Sequence, residues 1–358
     1  MSNNARTAAE QHDIIGYKSS EKEFTRTDDA GAKWFFEKTN LGLFIHFGIS
    51  AAGDDIDISW GMMDNPDRRA KGNGILTPRE YWALAEKFDP KHFEPKKWLS
   101  AAKDAGFTYA VFTAKHHDGF AMWPSDVGDF STKSYMGGRD LVGEYVTACR
   151  AAGLKVGLYY SPPDWRLDRK YMSFMSGSHS EKYPDRPYED IDHKPIASLP
   201  EMTEEHQKAR CEYFNAQVRE LLTRYGQIDL LWFDGTLPSL DGAITIYDIR
   251  KLQPHIIVND RLWGVGDYCS RFECKLPTEK PSAAWETSQI WHVGGGWSYV
   301  KNADKYRAPE ITLHQYEVAK EFGGNLLLNI APDGDGVVPQ AYYSALQRLK
   351  EDIASLGK

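Results

Sequence analysis

Residues able to do acid–base or covalent chemistry recur in this chain at one kind of place, the end of an apolar run. His46 closes Leu41 to Phe47, and His116 and His117 follow Phe107 to Ala114. Tyr159 and Tyr160 end Leu154 to Tyr160, Asp234 ends the run that starts at Gln227, and Arg261 follows His255 to Asp260. A carboxylate at the end of an otherwise dry strand is costly unless something there uses it. Three histidines, a phenol, a guanidinium and a carboxylate gathered at one mouth suit nucleophilic and general acid–base work on a polar substrate. Two further carboxylates, Glu273 and Glu286, fall in a stretch from Leu262 to Lys305 whose pattern is hard to assign.

The elements that would position these groups alternate strand and helix. Strands are expected at Leu41 to Gly48, Phe107 to Ala114, Leu154 to Tyr160, Ile228 to Phe233, His255 to Asp260 and Asn325 to Ile330, with Ala284 to Ser288 a further candidate. Unbroken apolar runs of this kind are buried on both faces, as in a parallel sheet. Thr77-Pro78-Arg79-Glu80 carries the hydroxyl, proline and glutamate of a helix start. Helical periodicity also covers Lys96 to Ala105, Asp140 to Ala152, Pro200 to Tyr225, Ile244 to Leu252, Thr312 to Phe322 and Gln340 to Leu356. Such alternation gives right-handed βαβ units, either in an open doubly wound sheet or in a closed barrel. No GxGxxG turn follows the first strand, and polar ends come from five different strands, whereas an open sheet has its site at one switch point. The expectation is therefore an α/β fold, a (β/α)8 TIM-like barrel with long βα loops over residues 31–358, preceded by a leader over residues 1–30. The stretch from Arg166 to Leu199 has no convincing periodicity and is expected to be a lid or binding loop. On a strand, adjacent tyrosines point to opposite faces, so one of Tyr159 and Tyr160 packs outward.

Bulk properties narrow the function. The 358 residues carry a net charge of -8, which argues against a nucleic-acid partner. No stretch has the length and apolarity of a membrane span, and the polar start lacks a signal-peptide pattern. The four cysteines show neither paired nor zinc spacing, so a reducing, cytoplasmic setting is expected. Eleven tryptophans exceed what a core needs, and aromatic faces are what sugars stack on.

The segments GLFIHFG, FTAKHHDGFAMW, GLYYSPPDW, LWFDG, VNDR, WETS and GGNLLLNI resemble the retaining α-L-fucosidases, over about Lys33 to Gly336. The resemblance implies hydrolysis of terminal α-L-fucosyl residues by double displacement, with a small carbohydrate as the partner and neither cofactor nor metal. It makes Asp234 the nucleophile. It puts His46, Trp60, His116, His117, Tyr159, Trp232 and Arg261 against the sugar. The acid/base falls on Glu273, at the end of a segment that departs from the family pattern by one extra residue and a missing proline. Glu286 is its competitor, read here as a substrate-side positioning carboxylate at a strand end, while Glu273 is expected in an irregular, movable segment. Many relatives carry a β-sandwich after the barrel; here one helix follows the last strand, so no sugar-binding module is expected. Two other readings stand beside the glycosidase: a metal-dependent barrel hydrolase using His46, His116, His117 and Asp234, and a catalytically inactive sugar-binding barrel.

Overall fold

In the computed structural model of the chain, which describes residues 11, 14–16, 22–23, 29–70 and 72–356, the apolar runs become the staves of one barrel. Its strands are β1 Leu41–Ile45, β2 Tyr109–Lys115, β3 Lys155–Tyr160, β4 Leu230–Phe233, β5 Ile257–Val258, β6 Cys269–Glu273, β7 Trp285–Ile290 and β8 Asn325–Ile330. All neighbours pair in parallel, in the order β6-β7-β8-β1-β2-β3-β4-β5. The two end strands meet through a parallel bridge between Asn259 and Tyr268 and a 2.8 Å bond from the Asp267 N–H to the Val258 carbonyl. That seam closes the sheet, and the expected (β/α)8 barrel is what the chain forms. Nearly every strand residue is buried, which is why these runs show no polar alternation.

Helices α1 Pro78–Ala83, α2 Pro95–Asp104, α3 Leu141–Ala151, α4 Glu204–Arg224, α5 Ile246–Leu252, α6 Pro309–Phe322 and α7 Gln340–Ser355 lie along the chain at the expected places. The Thr77 capping box at the start of α1 is present in full. No helix among the described residues is long and apolar enough to cross a membrane.

Three expectations need correction. Cys269–Glu273 is a barrel strand rather than an irregular segment, so Glu273 stands at a strand's C-terminal end, in register with Ser288 of β7. Glu286 is the second residue of β7, paired with Asn325 at the foot of β8, and so lies deep in the barrel rather than at its mouth. The loop from Arg166 to Leu199 contains an antiparallel hairpin, Tyr188–Glu189 with Pro195–Ile196. The expected leader lies mostly outside the described residues.

One glycine decides what the barrel interior can hold. A Cβ on Gly42 of β1 would come within 2.2 Å of the Tyr109 ring of β2. Its absence lets that ring lie across β1 and carry its hydroxyl to Glu286 on the far side.

Candidate active site

The barrel brings the expected polar strand ends round one mouth. Asp234 follows β4, and its N–H still bonds the Tyr160 carbonyl, so the ladder itself sets where the carboxylate emerges. Its Oδ1 accepts from Arg261 Nη1 at 2.6 Å and its Oδ2 from the Tyr159 hydroxyl at 2.6 Å. The second Arg261 nitrogen, Nη2, donates to Glu273 Oε2 at 2.6 Å and to the Ser270 carbonyl at 3.0 Å. One guanidinium thus holds both carboxylates, a task that the planar fork of arginine suits and a lysine ammonium does not. Beneath it lies the Trp232 indole, 4.3 Å from the guanidinium carbon. Tyr160 faces outward and bonds Gln217 of α4, which settles which tyrosine belongs to the mouth.

The bonds behind the three histidines assign their protons. Asn329 donates its amide to the Trp297 carbonyl, so its Oδ1 faces His46 Nδ1 at 2.6 Å. His46 therefore carries its proton on Nδ1 and presents Nε2 as an acceptor. Ser161 donates to the Pro163 carbonyl at 2.7 Å, so its oxygen receives the His117 Nδ1 proton at 2.6 Å. Again Nε2 is left as an acceptor; it is buried without a hydrogen-bond partner and stands 3.5 Å from Asp234 Oδ2. His116 is the reverse. Ser59 accepts the Asp118 N–H at 2.8 Å and its oxygen meets His116 Nδ1 at 2.6 Å; with the hydroxyl hydrogen on that contact, His116 presents Nε2 as a donor. Burial holds all three rings neutral: it lowers His46 to about 4 and takes His116 and His117 well below the usual histidine value.

The resulting cavity, about 300 Å³, is lined by His46, Trp60, His116, Tyr159, Trp232, Asp234, Arg261 and Glu273, all expected from the sequence. Phe44, Ser288, Trp297, Gln11 and Ile15 also line it and were not expected. Phe44 was within reach, because it stands two residues before His46 and so shares its face of β1. Ser288 follows Glu286 at the same spacing. Trp297 lies in a glycine-rich loop and is placed by Asp57, which accepts its N–H at 2.7 Å; nothing local in the sequence signals that. His117 stands behind the wall and reaches the site through Asp234.

Glu286 does not line the cavity. Its carboxylate accepts from Trp232 Nε1 at 2.9 Å, from the Tyr109 hydroxyl at 2.5 Å and from the Tyr268 hydroxyl at 3.3 Å. Burial raises its carboxyl to about 7, against the pull of these donors. The expectation that it touches substrate is corrected: it lies under the cavity floor and acts through Trp232.

His116, His117 and Asp234 offer ligand atoms within 4.8 Å of one another, the cluster a metal-dependent hydrolase would need. In that cluster the two Asp234 oxygens accept from a guanidinium and a phenol.

The chain is similar to known proteins of one kind. The α-L-fucosidase family matches residues 7–354. Alpha-L-fucosidase 1 of Arabidopsis thaliana is 26% identical over 348 residues, covering 87% of this chain and 57% of its own length. The tissue alpha-L-fucosidase of Rattus norvegicus is 26% identical over 339 residues, covering 88% of this chain and 66% of its own. The chain thus spans about three fifths to two thirds of the length of these relatives. Among solved structures, alpha-L-fucosidase isoenzyme 1 from Paenibacillus thiaminolyticus superposes with a TM-score of 0.74 at 29% identity, over 93% of this chain and 77% of that one. Alpha-L-fucosidase AlfC, in complex with Fuca(1,6)GlcNAc, superposes with a TM-score of 0.68 at 27% identity, over 91% of this chain and 99% of that one. With the match running through every strand of the barrel, the chain belongs to the α-L-fucosidase family.

Proposed function

We propose that the protein is an exo-acting α-L-fucosidase that releases a terminal fucosyl residue with retention, Asp234 being the nucleophile and Glu273 the acid/base. The observation that carries this reading is the Arg261 guanidinium shared between Asp234 and Glu273. Retaining glycosidases need two carboxyl groups about 5–5.5 Å apart, one attacking the anomeric carbon and one serving the leaving oxygen. Two carboxylates on neighbouring nitrogens of one guanidinium are held close in that way.

The environments suit the two roles. Hydrogen bonds from arginine and tyrosine fix both Asp234 oxygens in position for attack. In the first step Asp234 bonds to the anomeric carbon, the glycosidic C–O bond breaks, and the Glu273 proton passes to the departing oxygen. In the second, Glu273, now ionised, takes a proton from water as the water oxygen displaces Asp234. The contact between Arg261 and Glu273 belongs to this ionised state. His46 accepts from a sugar hydroxyl and His116 donates to one. Phe44, Trp232 and Trp297 offer the apolar wall that a 6-deoxy sugar's methyl group needs. That AlfC is seen with a fucosylated disaccharide supports a fucosyl substrate here.

The test is hydrolysis of an aryl α-L-fucoside followed by proton NMR. First-formed α-L-fucose supports the proposal; first-formed β-L-fucose rejects retention, and no hydrolysis across a panel of aryl glycosides rejects the enzyme.

A further inference from the structure

Outside the sugar site, one group of ligand-type side chains joins two loops. Asp64 belongs to the insertion after β1, four residues beyond Trp60. Its N–H donates to the Phe174 carbonyl at 2.7 Å and its carbonyl accepts the Ser176 N–H at 2.9 Å, so it is stitched to the long loop after β3. Glu189 and His193 come from the hairpin of that same loop. Asp64, Glu189 and His193 offer ligand atoms that all lie within 4.8 Å of one another.

Two features set this group apart from an ordinary acidic cluster. Glu189 is 5% exposed, and its Oε2 is buried with no hydrogen-bond partner. A carboxylate oxygen left so is expensive unless a cation or a proton satisfies it. Arg69 is committed to Asp64, donating from Nε at 2.7 Å and Nη2 at 3.0 Å. His193, meanwhile, sits in the left-handed backbone region, φ 55°, an uncommon conformation outside glycine. Its Nε2 faces the Met62 carbonyl at 3.0 Å. A carbonyl can only accept, so Nε2 carries the proton and Nδ1 keeps its lone pair. A backbone carbonyl behind an imidazole is how metal-ligating histidines are oriented.

We propose that Asp64, Glu189 and His193 form a site for a divalent transition cation of the zinc type, which braces the hairpin against the insertion that carries Trp60. Two carboxylate oxygens and one imidazole nitrogen are a donor set zinc accepts, with water completing the shell. The cation supplies the charge that Glu189 lacks. Trp60, which lines the sugar site, also lines a second cavity together with Met63, Asn65, Arg68 and Ser176. Asn65 follows Asp64 in the chain, so filling the cation site stiffens the wall on the side where an aglycone would lie. The site is independent of the glycosidase reading, since none of its three residues is in the sugar-binding machinery.

The experiment compares the chelator-dialysed wild type with Glu189→Gln, which keeps shape and removes charge, at slightly alkaline pH. Bound zinc is counted by elemental analysis after gel filtration, and Tm is read with and without zinc chloride. The wild type should hold one zinc per chain more than Glu189→Gln and gain several degrees of Tm that the variant does not. Any zinc taken by the histidines of the sugar site is common to both and cancels. His193→Ala should lose the same zinc, and it decides the matter if Glu189→Gln folds poorly. Equal zinc and equal Tm gain in wild type and variants, or no zinc in the wild type, overturns the proposal.

Discussion

Glu286 holds Trp232 from below, accepting the indole N–H at 2.9 Å, while Arg261 rides on the upper face of the same ring. The carboxylate, the indole and the guanidinium form one column from barrel interior to catalytic floor. A change at Glu286 should therefore reach Asp234 and Glu273 without touching substrate. Glu286→Gln is expected to lower kcat/KM by roughly tenfold, the size of one lost buried hydrogen bond, and equally for good and poor leaving groups. Its stability should differ from the wild type in a pH-dependent way. The Glu286 carboxyl is raised to about 7 in the fold, so its favourable contribution is full below its unfolded value of about 4.5 and is lost as pH rises through about 7. Tm measured across that window should fall more steeply for the wild type than for the variant.

Asp234→Asn should fold, because the amide is nearly isosteric, and should lose at least about three orders of magnitude in kcat. A variant that retains a large share of turnover removes Asp234 from the nucleophile's role. Arg261→Ala should behave differently. Arg261 is 1% exposed between two carboxylates. Removing it leaves two buried charges uncompensated, at a cost of about 3–5 kcal/mol in stability, which a denaturant titration will read.

Glu273→Ala should keep much of its first-step rate on a dinitrophenyl or fluoride leaving group and lose it on a sugar aglycone. Azide should speed its turnover and give the α-configured azide, the second inversion restoring the substrate's configuration, since the base for the second step is also gone. Glu286→Ala should show no azide effect. Azide rescue of Glu286→Ala with none for Glu273→Ala would exchange the two assignments.

The histidine protons can be read directly. Long-range proton–nitrogen NMR should find His46 and His117 protonated on Nδ1 and His116 on Nε2 across the neutral range. His46 should titrate only near pH 4, because burial lowers it to about 4. Ser161→Ala takes away the acceptor that fixes His117. It should lower kcat/KM by roughly ten- to hundredfold, as for one or two buried hydrogen bonds, with the His117 nitrogen pattern changed and Tm little altered. An unchanged His117 spectrum in that variant would reject Ser161 as the group that sets the tautomer.

The mouth of the barrel was legible because each strand there ends in punctuation. Ser161-Pro162-Pro163 stops β3 and Gly235 stops β4, so the residues just before them had to stand at the rim. Depth was not legible. Glu286 and Ser288 lie two apart on one face of β7, and only the register with β8 puts the first at the foot and the second in the cavity wall. Strand β6 was missed for a physical reason. Ser270 faces Arg261 and Asn259 with hydrogen bonds, so the run lacks the apolar signature that marked its neighbours. The wall formed by Trp297 and Asp57 joins segments 240 residues apart, a pairing that no local pattern announces.

The seam between β5 and β6 has a further consequence. The other staves are joined by ladders of three or more residue pairs, or of two between β4 and β5, but here a single bridge, Asn259 with Tyr268, is reinforced by side chains such as Asn259 to Ser270 and Arg250 to Asp267. A closed ring under thermal agitation opens first where its backbone joint is thinnest. Arg261 leaves one side of that joint and Glu273 ends the other. Breathing of the ring at this point would draw the guanidinium away from the acid/base carboxylate while Asp234, rooted in β4, stays in place. Amide exchange at Asn259 and Tyr268 would then run ahead of exchange in β1, β2 and β3, and a sugar bridging the mouth would slow it.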